Sequence, residues 1–367
     1  MNDEEYLYAI ALRASPFVGD VNFMKLIGAA GSAKDTWKLS QKLLQKIPGI
    51  GDKISRSIGD ESLLKFAEKE LEFCRKNNIQ IKLRHQNELP KLLSECNDAP
   101  AILYQKGFYD ESLIPVSIVG TRNITAYGRT FVEELLAAFK GENLLIVSGL
   151  ALGTDGCAHA EAIKNGISTV GVLAHGLHTF YPSQHKKLAQ EMITNGGALL
   201  TEFNSSEKPD REHFLQRNRI IAGLSPVTIV VETAFGGGSI STVSFANDYN
   251  REVYALPGKI TDKYSQGCNL IISQNKARII NDIKDIMNEL GMRTLKPKTG
   301  NLFENKTVKL NNEFQSIYDC IAKYGQISLD DLSENLSIAP YKLLPILLDL
   351  EISGLVKSLS GRQYLAK

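Results

Sequence analysis

The sequence is poor in the features that would place it quickly. Its five cysteines, Cys74, Cys96, Cys157, Cys268 and Cys320, are odd in number and far apart, with no Cys-x-x-Cys pair. That spacing excludes a disulfide framework and a zinc site and fits a reducing cytoplasm. No apolar run is long enough to cross a bilayer. The opening residues, Met1-Asn2-Asp3-Glu4-Glu5, lack the basic and apolar regions of a secretory signal. Charge of one sign is missing as well, since the formal net charge is +1 at pH 7. A polyanionic partner must therefore be held by local cation clusters rather than by a field over the whole molecule.

Motifs of familiar chemistry are absent too. No Gly-x-Gly-x-x-Gly follows the first strand-like run, and no Gly-x-x-x-x-Gly-Lys-Ser/Thr occurs, which removes the dinucleotide fingerprint and the P-loop. His175, His178 and His185 lie near one another, but no acidic or cysteine partner stands at ligand spacing. His159 and Cys157 lack the partners of a nucleophilic set. The expectation is a chain with no catalytic residues, no metal and no cofactor.

What remains is an ordinary globular composition over 367 residues, enough for two or three domains. Residues 1–80 alternate short helical patterns with Gly-containing turns and predict a small helical domain. From 81 to 290 apolar runs of strand length recur: Val116–Val119, Leu144–Val147, Thr169–Leu173, Ala198–Leu200, Thr228–Val231 and Val253–Leu256. Segments of helical length separate most of them. Such a pattern predicts a parallel sheet covered on both faces. Residues 291–312 are polar and basic and read as a linker. Residues 313–367 predict three helices and a hairpin about Ser360-Gly361, with Pro340 opening the third helix. This is the texture of a winged helix.

Ligands of an open parallel sheet bind beyond the carboxyl ends of its strands. Several predicted strands end in loops of unusual composition there: Gly120-Thr121-Arg122, Ser148-Gly149 through Asp155, Ala174-His175-Gly176, Gly236-Gly237-Gly238-Ser239 and Pro257-Gly258. Glycine lets backbone approach a ligand, helix-opening N–H groups favour an anion, and Arg122 offers a planar fork for phosphate. Each loop alone is as well explained by a tight strand-to-helix turn; their convergence points to a phosphate-binding crevice.

A second cluster is His213-Phe214-Leu215-Gln216-Arg217-Asn218-Arg219-Ile220-Ile221. In a helix, Phe214, Arg217, Asn218 and Ile221 share a face. An exposed ring beside arginines would suit a single strand of nucleic acid, the ring stacking a base for about 1–3 kcal/mol. The residues fit equally well a buried Phe214 and Ile221 with the arginines on a solvated face.

Taken in order, these motifs resemble the DNA-processing protein A (DprA/Smf) family. The matching stretches are Ile118–Arg122 with Tyr127-Gly128, Val147–Asp155 with Ala158-His159, and Val172-Leu173 with Tyr181-Pro182. They continue with Phe214-x-x-Arg217-Asn218-Arg219-Ile220-Ile221-Ala222-Gly223-Leu224-Ser225, Gly238-Ser239, Arg251-Glu252-Val253 and Pro257-Gly258. The resemblance implies an α/β, Rossmann-like core flanked by a helix-hairpin-helix or SAM-like N-terminal domain and a C-terminal winged helix. It implies a cytoplasmic homodimer that binds and protects incoming single-stranded DNA. Such a protein loads RecA recombinase in natural transformation and is not an enzyme. The DNA-binding residues it implies are Gly120, Thr121, Arg122, Ser148, Gly149, Phe214, Arg217, Asn218, Arg219, Gly238 and Ser239.

The chain departs from the family at Ala174 and His178, where glycine and aspartate are usual, and at Thr233, where alanine is. Ile47-Pro48-Gly49-Ile50-Gly51 resembles a helix-hairpin-helix turn, although a plain turn in a helical bundle fits as well. The third helix of the winged helix has a single lysine and an interior Pro345, a poor composition for reading a DNA groove. It is expected to make protein contacts or to pad the fold. Two other functions stay in view: a Rossmann-like nucleoside-monophosphate phosphoribohydrolase, suggested by Gly236–Ser239, and a duplex-DNA regulator acting through the winged helix.

Overall fold

The six apolar runs are strands, each within two residues of its expected position. In the computed structural model, residues 3–291, 312–353, 355–359 and 361–366 are described. The main sheet comprises β1 (Ile79–Leu83), β2 (Ile102–Gly107), β3 (Ile114–Val119), β4 (Leu144–Ser148), β5 (Ser168–Val172), β6 (Ala198–Thr201), β7 (Val227–Val230), β8 (Glu252–Ala255) and β9 (Arg278–Ile279). Their order is β1-β2-β6-β5-β4-β3-β7-β8-β9. From β6 through β9 neighbouring strands are parallel, while β1 and β2 add an antiparallel edge.

Burial explains which strands were legible. Strands β4, β6 and β7 are buried at every residue, so their sequences are unbroken apolar runs. Side chains alternate across β3: Val116 and Ile118 join one core with Phe131, Leu135 and Ile146, while Val119 joins the opposite core with Val147, Ile220 and Ile221. Both faces are covered, as a parallel sheet requires. The sequence reading did not include β1, β2 or β9. In β1, Ile-Gln-Ile-Lys-Leu, the middle residues stay partly open to solvent, and β9 is two exposed residues.

The contacts divide the chain into two compact units, Met1–Thr294 and Leu295–Lys367. Residues on either side of the boundary expected near residue 80 fall in the first unit and share a core. Leu12, Phe23, Leu26 and Leu71 of the N-terminal helices form one cluster with Leu83, Ile102 and Tyr104 of the sheet edge and with Met192 and Leu199. The helix-hairpin-helix-like turn lies between helices Gln41–Leu44 and Asp52–Ser57. Leu44 and Ile50 anchor it in that core, and Gly49 takes a φ of 82°.

The second unit has helices Asn312–Tyr324, Leu329–Leu336 and Pro340–Ile352. Its strands β10 (Gln326–Ser328), β11 (Val356–Leu359) and β12 (Gln363–Ala366) pair antiparallel in the order β10-β12-β11. Ile317, Ile321, Leu332, Leu343, Leu347 and Leu350 fill its core. Pro340 stands in the first turn of the third helix, where its missing N–H breaks no bond. Apart from its terminal residues, the linker expected at 291–312 lies outside the described residues.

Candidate nucleic-acid interface

The chain leaves β3 for β4 on one side and later returns to place β7 on the other. This reversal of strand order opens a crevice past the carboxyl ends of the two strands. A cavity of about 690 Å³ lies there. Its walls are Gly120–Arg122 after β3, Ala234 and Gly236–Ser239 after β7, and the helix Arg211–Leu224. Gly120, Thr121, Arg122, Phe214, Arg217, Asn218, Gly238 and Ser239, expected to act together, thus line one cavity.

Arg122 is exposed and makes no ion pair among the described residues. Its guanidinium carbon lies 4.9 Å from the centroid of the Phe214 ring, within the range of a cation–π contact. Phe214 is neither core nor free surface. It is half-buried, with Tyr181 edge-on at 5.8 Å. Ile221, the other apolar residue of that helix face, is 1 % exposed and belongs to the core. One face of one helix therefore carries both alternatives, a ring on the cavity wall and a core residue two turns on.

Arg217 lines the cavity but is committed elsewhere. It is 3 % exposed and donates Nη1 to Gly149 O at 2.7 Å and to Val172 O. Burial pulls its pKa down to about 10, against the opposing pull of Asp155. Asp155 is itself pushed up by burial, with Arg217 opposing. Gly149 has a packing role. A Cβ there would meet Arg217 Nη2 at 2.5 Å and Asp155 Oδ2 at 2.6 Å. Ser148 is fully buried and donates to Ile118 O at 2.6 Å. Ser148 and Gly149, expected to contact DNA, are not among the residues that line the cavity, and Gly149 O accepts from Arg217.

Arg219 does not face the cavity at all. It is 6 % exposed and donates to Glu202 and Asp98 O, and to Asp20 Oδ2 at 3.2 Å. It lies five residues beyond Phe214, about 140° around the helix. A phosphate-holding role for this arginine is corrected by that geometry.

Gly120 is likewise a packing glycine, since a Cβ would meet Thr154 Oγ1 at 2.5 Å and Glu232 O at 2.9 Å. Gly238 is different, with nothing within 4 Å of the place a Cβ would take. Asn218 fixes that loop by donating Nδ2 to Gly238 O at 3.1 Å and to Ser241 Oγ at 2.9 Å. Ser239, at the start of helix Ser239–Asp248, keeps a buried hydroxyl with no hydrogen-bond partner among the described residues. The helix start, the open glycine and this hydroxyl line the same cavity as Arg122.

Glu232, next to the Gly-rich loop, accepts from Thr125 N at 2.8 Å and Thr125 Oγ1 at 2.5 Å. It is 2 % exposed, so it clamps the loop after β3 and is not presented to a ligand. Burial lowers the pKa of His159 to about 3, and its Nδ1 meets Thr169 Oγ1 at 2.7 Å. Among the described residues no three His, Cys, Asp or Glu side chains converge as metal ligands would. Sequence reasoning missed Tyr181, Arg211 and Leu215 as cavity residues. Arg211, one turn before Phe214, could have been found from helical spacing. Tyr181 arrives on a loop far away in sequence and left no periodic signal.

Comparison with known proteins follows the same lines. The sequence model of the family DNA recombination-mediator protein A matches residues 80–291, and that of the DprA winged helix domain matches 305–362. DNA processing protein DprA of Streptococcus pneumoniae is 41 % identical over 198 residues, covering 54 % of this chain and 69 % of that protein. DprA of Bacillus subtilis is 40 % identical over 212 residues, covering 57 % and 70 %. The crystal structure of DNA processing protein A from Streptococcus pneumoniae aligns with a TM-score of 0.65 at 29 % identity, over 79 % of this chain and 98 % of that one. Helicobacter pylori DNA processing protein A, whose structure addresses its single-stranded DNA binding mode, aligns with a TM-score of 0.52 at 28 % identity, over 58 % and 95 %. With a parallel-sheet crevice, a C-terminal winged helix and these relatives, the chain belongs to the DNA recombination-mediator protein A (DprA/Smf) family, a family of recombination mediators rather than enzymes.

Proposed function

We propose that this protein binds single-stranded DNA in the crevice between β3 and β7, protects incoming strands and loads RecA recombinase during natural transformation. One observation carries the DNA reading: an exposed, unpaired Arg122 stands over the half-buried ring of Phe214 at the rim of the sheet. A base on the ring is the contact that an unpaired strand offers and a duplex withholds, while the guanidinium takes a phosphate that either would present. Gly120, Thr121, Asn218, Gly238 and Ser239 complete the phosphate wall. Arg217 lines the same cavity and donates to Gly149 O.

Kinship with the family supports the RecA partner, the homodimer and the cytoplasmic setting. Among the described residues no helix is long and apolar enough to cross a membrane. The two rival readings gain nothing from the site. Glu232 is engaged as a clamp where a hydrolase needs a free carboxylate, and the third helix of the winged helix, Pro340–Ile352, has Lys342 as its one basic residue. Fluorescence anisotropy with oligo-dT and a matched duplex tests the proposal. Tighter binding of the single strand, weakened by Arg122→Glu, is expected. Tighter duplex binding that survives Arg122→Glu would contradict it.

A further inference from the structure

The back of the Phe214 helix is tied to the N-terminal helices through one guanidinium. Glu202, at the end of β6, accepts from Arg219 and from Gln216 Nε2 at 3.0 Å, two residues one turn apart. Asp20, which opens helix Asp20–Ala30, accepts from Arg219 Nη2 at 3.2 Å, Arg13 Nε at 3.1 Å and Ala101 N at 3.0 Å. Arg219 also donates Nη1 to Asp98 O. The side chains of Arg219, Asp20 and Glu202 are 7, 14 and 1 % exposed. This is a buried, directional network joining segments up to 199 positions apart. Such a network holds one geometry because every rotated alternative leaves a buried charge without its partner. Phe214, Arg217 and Asn218 occupy the opposite face of the same helix.

We propose that Arg219 is a positioning residue for the single-strand site. It locks the helix Arg211–Leu224 against the N-terminal helices, so that Asp20, which lines no part of the crevice, sets affinity there. This inference rests on the reading of the crevice as a single-strand site. By linkage, a bound strand tightens the Asp20–Arg219 contact as much as that contact tightens the strand.

The test titrates oligo-dT with the full chain at several salt concentrations, comparing wild type, Asp20→Asn, Arg219→Met and the double variant. Folding is checked by circular dichroism. Each single variant is expected to lose about tenfold in affinity, within the usual span of coupling energies. The double variant is expected to lose less than the product of the two single losses, because both substitutions remove the Asp20–Arg219 contact. The salt slope should stay at its wild-type value, since no phosphate contact has been removed. A lower melting temperature with unchanged affinity in folded Asp20→Asn would reduce the network to a structural role and overturn the proposal. A salt slope that falls by about 0.7 in Arg219→Met would overturn it differently, by making Arg219 a phosphate ligand. If Arg219→Met does not fold, Asp20→Asn alone decides. Wild-type binding insensitive to Arg122→Glu sinks the crevice reading and this one together; wild-type binding sensitive to Arg122→Glu but not to Asp20→Asn sinks this one only.

Discussion

The two units distribute their chemistry opposite to what their architectures suggest. A winged helix is built to present its third helix to a DNA groove. Here that helix shows solvent Tyr341, Leu344 and Leu348, 71, 46 and 56 % exposed, with Lys342 as its one lysine. An open parallel sheet is a general ligand platform with no bias to nucleic acid, yet its crevice holds the exposed arginine, the ring and the open helix start. Fold class alone would point DNA to the winged helix; the proposed reading, from the side chains at each surface, points it to the sheet.

The sharpest way to break this contrast is Arg122→Glu. Reversal removes a charge-assisted contact of about 2–3 kcal/mol and adds repulsion, so single-strand affinity should fall about a hundredfold with a shallower salt slope. An unchanged isotherm would return the advantage to the winged helix. Phe214→Ala should cost about 1–3 kcal/mol by anisotropy, with the salt slope preserved. Loss of slope there would mean that the ring acts by placing Arg122 and not by stacking.

Acid provides a contrast in stability. His159 is held neutral by burial, with a folded pKa of about 3, whereas the unfolded chain protonates it near 6.5. Between these values the unfolded state binds more protons, so this contribution is present above pH 6.5 and is lost as pH falls towards 3. Residues 295–367 contain no histidine. The melting temperature of the sheet unit should drop between pH 7 and 5, and His159→Gln should flatten that drop. An equal drop in the variant would assign the acid sensitivity to other groups. Smallest of all is the expected effect of Lys342→Ala, less than twofold on single-strand or duplex affinity. A larger loss on duplex would show that the winged helix reads DNA after all.

How far the sequence reached depended on what burial leaves visible. Central strands buried on both faces are written as apolar runs, and β3 to β8 were found that way. Strands β1 and β2 alternate or mix polar residues because they close an edge, and the N-terminal helices concealed a core shared with the sheet. At the site, Arg122 and Phe214 were legible because a strand end and a helix face are short-range facts. The structural bonds of Arg217 and Arg219 were not legible, because their partners, Gly149 O, Val172 O, Glu202 and Asp20, come from distant segments. For Arg219 the helical wheel already held the answer, since it points away from Phe214.

A single-strand site at the rim of the sheet must prefer an unpaired strand to a duplex. The most direct measurement is the affinity of the intact chain for oligo-dT and for a duplex of equal length at two salt concentrations, with wild type and Arg122→Glu side by side. The prediction is tighter single-strand binding, with affinity and part of the salt slope lost in Arg122→Glu. Equal affinity for the two DNAs, untouched by the substitution, would contradict it.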